Sequence, residues 1–124
     1  MATGMAQQQK RSAAAIALES VRQFSAESGR GVEVSACFAA HLGHLSIAGL
    51  PDPAHEPWRR IAHLLRAPAD RSVPERLILA TRSWPQMRVD ELIDLVRELG
   101  AVLETTENDR LEDEIRDSIR HHYL

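Results

Sequence analysis

The spacing of apolar residues between positions 88 and 124 constrains the fold more than any other feature. Five apolar residues recur there at intervals of three and four, which places them on one side of a helix. They are Val89, Leu92, Ile93, Val96 and Leu99. This part of the chain is therefore predicted to be helical.

Gly100 follows this run and predicts its end, because glycine adopts the left-handed backbone of a helix terminus at no steric cost. A second amphipathic run then has Leu111, Ile115 and Ile119 at steps of four. Its remaining positions are mostly acidic. The pattern predicts two separate helices, each with one apolar stripe turned inward; residues 101–103 either extend the first of them or form a brief extended link.

Four earlier segments also have helical spacing, over about 7–28, 35–48, 56–66 and 73–82. Ser72 opens the last of them as a predicted capping box with Glu75. Apolar alternation over residues 32–38 also fits a strand, but a helix is preferred because one isolated strand has nothing to pair with. The predicted inward residues are Ala14, Ala17, Leu18, Val21, Phe24, Ser25, Trp58, Ile61, Leu64, Leu65, Leu77 and Ile78.

The length of 124 residues predicts one domain. We expect residues 1–6 to form a flexible tail and residues 7–124 a single all-α bundle of about six helices. The single cysteine cannot form an intramolecular disulfide and suits a reducing compartment. No stretch has the length of a membrane span, and the apolar run after Lys10-Arg11 is too short for a secretory signal, so a cytoplasmic protein is expected.

Charge is segregated along the chain. Residues 88–124 hold eleven acidic residues against five arginines, a net charge of −6, whereas residues 1–87 carry a net charge of +3. Such a molecule can associate with copies of itself or with an oppositely charged partner; the alternative is that the charges only solvate helix faces. The predicted contact residues are Arg59, Arg60, Arg66 and Arg76 on one side and Glu107, Asp109, Glu112, Asp113 and Asp117 on the other.

No motif predicts a catalytic, cofactor or metal site. His41 and His44 are spaced for one helical face but lack further ligands, so ordinary surface or half-buried histidines are expected. Cys37 and His41 could form a thiolate–imidazole pair, but a small buried cysteine is the preferred interpretation. Phosphate-loop, dinucleotide and HExxH motifs are absent, so no enzyme, small-molecule substrate or cofactor is predicted.

The last third of the chain resembles the closing part of a death-fold domain. Arg97-Glu98-Leu99-Gly100 is similar to the family's helix end, and Asn108-Asp109-Arg110-Leu111 to the opening of its final helix. The six residues 101–106 depart from the usual tight connection. The resemblance, shared with bacterial effector-associated domains, implies a six-helix, non-enzymatic adaptor that joins like domains through opposed basic and acidic surfaces.

A second resemblance is to the small helical subunits of CRISPR effector complexes, in size and in the amphipathic first helix. It implies contacts between scattered arginines and nucleic-acid phosphates. The net negative charge and the presence of one lysine among fifteen basic residues argue against it. The function expected from the sequence is therefore a protein–protein assembly module, with nucleic-acid binding as the alternative.

Overall fold

The computed structural model describes residues 11–123. Within this range there are five α-helices and three single 3-10 turns. The helices are α1 (Ala13–Gly29), α2 (Val34–His41), α3 (His55–Leu65), α4 (Glu75–Ala80) and α5 (Gln86–Tyr123). The 3-10 turns are Ile47–Gly49, Asp52–Ala54 and Thr81–Ser83. The predicted tail at 1–6 and the predicted helix start at residue 7 lie outside the described residues.

Helix α1 starts at a side-chain cap. Ser12 Oγ accepts a hydrogen bond from the backbone N–H of Ala15 at 3.0 Å, which satisfies one of the donors left free in a first helical turn. The predicted apolar face of α1 is buried, with one correction: Ser25 is exposed. The buried residues are Ala14, Ala17, Leu18, Val21 and Phe24.

Helix α2 is shorter than predicted. It ends at His41, and the backbone N–H groups of Leu42 and Gly43 both donate to the carbonyl of Phe38, which closes the helix in a turn. Residues 43–48 are therefore not helical as predicted, apart from the start of a 3-10 turn. The alternative of a strand over 32–38 is wrong, because residues 32–33 belong to no regular element and the helix begins at Val34.

Three aromatic residues form the centre of the core. The rings of Phe24 and Phe38 meet edge to face at 6.3 Å, and those of Phe38 and Trp58 stack at 6.4 Å. Trp58 is fully buried, and its Nε1 donates to the carbonyl of Ala69 at 3.2 Å. This contact ties the loop after α3 to the core, because the buried indole N–H needs a partner.

The predicted capping box at Ser72 is wrong. Helix α4 starts at Glu75 after Pro74, and no side chain caps its first turn. Ile78 is buried and Leu77 half-buried, as the spacing predicts.

The structure differs most from the prediction in helix α5. Residues 86–123 form one continuous helix of 38 residues, so Gly100 does not end a helix, and the separate sixth helix is wrong. Its N-terminal half packs against α1 and α3 and buries Leu92, Val96, Leu99 and Leu103. The all-helical bundle is confirmed for the described residues, with five helices in place of about six.

Candidate functional site

The last part of α5 extends beyond the body of the bundle. Every residue from 111 to 122 is exposed. These positions include Leu111, Ile115 and Ile119, whose exposed fractions are 41%, 59% and 53%. The prediction that this stripe is buried is wrong, because no other element among residues 11–123 covers this part of the helix. We call Leu111, Ile115 and Ile119 the distal stripe.

The distal stripe does not continue the face of α5 that packs in the core. At 3.6 residues per turn it lies about 130° around the helix from the line through Leu92, Val96, Leu99 and Leu103. The positions that would continue that line, Thr106 and Arg110, are polar. The distal stripe is therefore a second apolar surface, turned away from the bundle.

Glutamates border the distal stripe on both sides. Helical geometry places Glu112 beside it on one side and Glu114 on the other. Asp109, Asp113 and Asp117 lie on the opposite half of the helix. Of the five predicted acidic contact residues, only Glu112 is both beside the stripe and outside the ion pairs of the described residues.

Glu107 is held by its own chain. Its Oε2 accepts from Ser12 Oγ at 2.7 Å and from Arg110 Nε at 3.1 Å, while Oε1 accepts from Arg110 Nη2 at 2.7 Å. The hydrogen bonds from Arg110, followed in weight by the one from Ser12, lower the pKa of the Glu107 carboxyl despite its partial desolvation. Glu107 therefore joins α5 to the start of α1, and its predicted role as a free contact residue is not supported.

A groove between α3 and α5 holds three of the four predicted arginines. Two adjoining cavities of about 460 and 570 Å³ share His63 and Leu64 along its floor. Arg59 and Arg60 line the first cavity, and Arg66 lines the second. We call this surface the arginine groove; its full lining is Glu56, Arg59, Arg60, His63, Leu64, Arg66, Ala67, Arg88, Glu91 and Leu95.

The sequence did not single out the contributions of α5 to this groove. Arg88 stacks over the Trp84 ring, with its Cζ 4.4 Å from the ring centroid, and donates to the carbonyl of Leu64 at 3.4 Å. Leu95 is half-buried in the groove wall. The sequence has no signal for this role of Leu95, because its place in the groove depends on how α3 crosses α5.

Several groove arginines already have carboxylate neighbours. Arg60 Nη1 contacts Glu98 Oε1 at 3.1 Å, and Arg59 Nη1 lies 3.9 Å from Glu56 Oε2. Arg76 is separate from this set: it lies on α4, exposed, and does not line the groove. The predicted basic surface is therefore confined to Arg59, Arg60 and Arg66, with Arg88 added.

The Cys37 and His41 side chains have separate partners. Cys37 is fully buried, and its Sγ donates to the carbonyl of Val32 at 3.7 Å. Burial, followed by the nearby negative charge of Glu27, raises the pKa of the Cys37 thiol. His41 Nε2 contacts Glu27 Oε2 at 2.6 Å. This arrangement disfavours a reactive thiolate.

The other histidines serve local structure. His55 Nε2 donates to the carbonyl of Leu50 at 2.9 Å, and His121 Nδ1 lies 3.1 Å from the carbonyl of Asp117. Among the residues that the structure describes, no three histidine, cysteine or acidic side chains are grouped for a metal ion. In the same part of the chain, no helix combines the length and apolar content needed to cross a bilayer.

Comparison with known proteins yields no relative. No family model matches the chain, and neither a curated protein nor a solved structure matches it.

Proposed function

We propose that this chain is a non-enzymatic assembly module that joins copies of itself through protein–protein contacts. The observation that carries the proposal is the distal stripe, three large apolar side chains that α5 exposes to solvent on a face that no other described element covers. Scattered exposed apolar residues are ordinary, but an aligned row on an extended helix is typical of helix-mediated recognition.

The charge distribution supports the same proposal. Residues 104–122 hold seven acidic residues and three arginines, a net charge of −4, while the arginine groove holds four arginines and two glutamates. The acidic surface is the end of α5 and the groove lies between α3 and α5, so each copy presents one surface of each sign. Opposed charges of this kind steer association and fix its orientation.

The nucleic-acid alternative has less support. Arg60 and Arg59 have Glu98 and Glu56 beside them, so the groove is less positive than its four arginines alone would make it. The acidic end of α5 would also repel a polyanion. Membership of the death-fold superfamily stays a prediction from the residue pattern, and the proposal does not depend on it.

Sedimentation velocity at about 10 µM and about 1 mM protein, in low and high salt, tests the proposal. We expect the weight-average mass to rise with concentration and to fall with salt. Reversing Arg59 and Arg60 to glutamate should abolish the rise at low salt, and so should Ile115→Glu. Arg120→Glu, on the opposite side of the helix from the stripe, is the matched control and should still assemble.

A wild-type protein that stays monomeric at both concentrations would overturn the proposal. If such a monomer gained mass only when a short RNA was added, with salt-sensitive binding, the nucleoprotein subunit would become the better explanation.

A further inference from the structure

We infer that the distal stripe of one copy docks in the arginine groove of a second copy, so that the chain assembles head to tail. The inference rests on the proposed function and names its interface. A glutamate-bordered apolar row on one surface is matched by an arginine-bordered apolar floor on the other.

The apolar parts of the two surfaces fit one another. Leu64, Ala67 and Leu95 are half-buried in the groove, so they are reachable from solvent. Leu111, Ile115 and Ile119 are the large apolar side chains exposed on the extended part of α5. An amphipathic helix that lays an i, i+4, i+8 row into a groove is a recurring mode of recognition.

The charges favour docking of the distal stripe in the groove over docking against the distal stripe of another copy. Pairing two distal stripes, in either helix direction, would place Glu112 or Glu114 of one copy beside the glutamates of the other, and like charges at such flanking positions repel. In the arginine groove the same glutamates meet Arg59, Arg66 and Arg88. The contact therefore joins two different surfaces, the distal stripe of one copy and the arginine groove of the other.

The geometry of α5 prevents the two surfaces from meeting within one molecule. Leu95 in the groove and Ile115 in the stripe are separated by about 30 Å of continuous helix. They also lie on roughly opposite sides of that helix. Each copy can thus use both surfaces at once, and a contact between unlike surfaces generates a chain of copies rather than a two-fold dimer.

Mixing two complementary variants tests this pairing. Arg59→Glu combined with Arg66→Glu blocks the groove and leaves the stripe, while Ile115→Glu blocks the stripe and leaves the groove. Each variant alone should remain a monomer in sedimentation velocity at a concentration where the wild type assembles. An equimolar mixture should form a 1:1 dimer and nothing larger, because one intact groove meets one intact stripe.

Matched controls separate the interface from general charge effects. Arg76→Glu reverses an arginine outside the groove, and Asp117→Arg reverses an acid on the far side of α5. Both should assemble like the wild type. Circular dichroism melts of all variants check that each is folded, and substitutions at such exposed positions usually change stability by less than about 0.5 kcal/mol.

The outcomes distinguish the inference from the proposed function. If the wild type assembles but the mixture stays monomeric, the groove–stripe pairing is overturned while self-assembly stands. If the groove variant assembles alone, the groove is not the site. If the wild type itself never assembles, both are overturned.

Discussion

Gly100 and Val21 lie so close together where α5 crosses α1 that a Cβ atom on Gly100 would meet Val21 Cγ1 at 2.9 Å. Such a distance is shorter than packed carbons tolerate, so this crossing requires a residue without a side chain. The contact with Val21 therefore explains why a glycine stands in the middle of this helix. The low helix propensity of Gly100 is offset by the close packing of α1 and α5.

Gly100→Ala is expected to lower stability by about 1 kcal/mol, because overpacking costs about 1–3 kcal/mol while the gain in helix propensity is about 1 kcal/mol. Val21 cannot turn aside easily, since valine has one strongly preferred rotamer in a helix. Denaturant unfolding measures the change. In a Val21→Ala background the same substitution should become neutral or stabilising, and a Gly100→Ala variant more stable than the wild type would contradict this account of the crossing.

Glu107→Gln is expected to cost about 1 kcal/mol at neutral pH, because it weakens charge-assisted hydrogen bonds to a partly exposed arginine. The pKa of the Glu107 carboxyl is lower in the folded than in the unfolded protein. The stabilisation is therefore complete above the unfolded pKa and is lost as pH falls through the folded one.

The stability difference between wild type and Glu107→Gln should accordingly be constant near pH 7 and shrink below about pH 4. Chemical denaturation across this range measures it. Glu104→Gln, at an exposed position on the same helix, is the control and should show no such difference. A difference that grows in acid would rule out the assigned hydrogen bonds.

Cys37 should be alkylated by iodoacetamide roughly a hundredfold or more slowly in the native protein than in the unfolded one. Its side chain is fully buried, and its thiol pKa is raised by that burial, so little accessible thiolate is present. Mass spectrometry of a time course gives the rate. Rapid native alkylation would revive the hypothesis of a reactive Cys37–His41 pair.

Arg66→Gly should stabilise the fold by about 0.5–1 kcal/mol. Arg66 caps α3 with a left-handed backbone, φ 57°, which costs a residue with a Cβ about 1–2 kcal/mol and costs glycine nothing. Part of the gain is offset by the greater freedom of glycine in the unfolded chain. Arg59→Gly, within the regular part of α3, is the matched control and should instead destabilise by about 1 kcal/mol. A loss of stability in both variants would contradict the strain assigned to Arg66.

Local periodicity was enough to predict the all-helical fold and most of its core. The inward faces of α1 and α3 follow from residues such as Leu18, Phe24, Trp58 and Ile61, because amphipathic spacing depends only on neighbours in the sequence. The sequence also grouped Arg59, Arg60, Arg66 and Arg76 on one side; the first three line one groove, whereas Arg76 lies on α4 outside it.

The errors arose where a residue's role depends on distant contacts. Gly100 has the local appearance of a helix end, and only the proximity of Val21 explains it as a packing position. Leu111, Ile115 and Ile119 have the spacing of a buried face, but burial requires a neighbouring element, and none among residues 11–123 covers them. Asp113 and Asp117 were grouped with Glu112 by sequence, although the helix separates them onto different sides.

Because α5 is continuous, it also fixes the direction in which the distal stripe points relative to the core. Between Leu103, the last core residue, and Leu111, the first residue of the stripe, direction is set by the number of residues alone, since each one turns the helix by about 100°. One residue inserted after Arg110 would rotate the stripe by about 100° and leave the Ser12–Glu107–Arg110 contacts in place, whereas seven would return the stripe to within about 20° of its present direction. The number of residues between Leu103 and Leu111 thus determines the rotation between neighbouring copies in an assembly formed through the stripe.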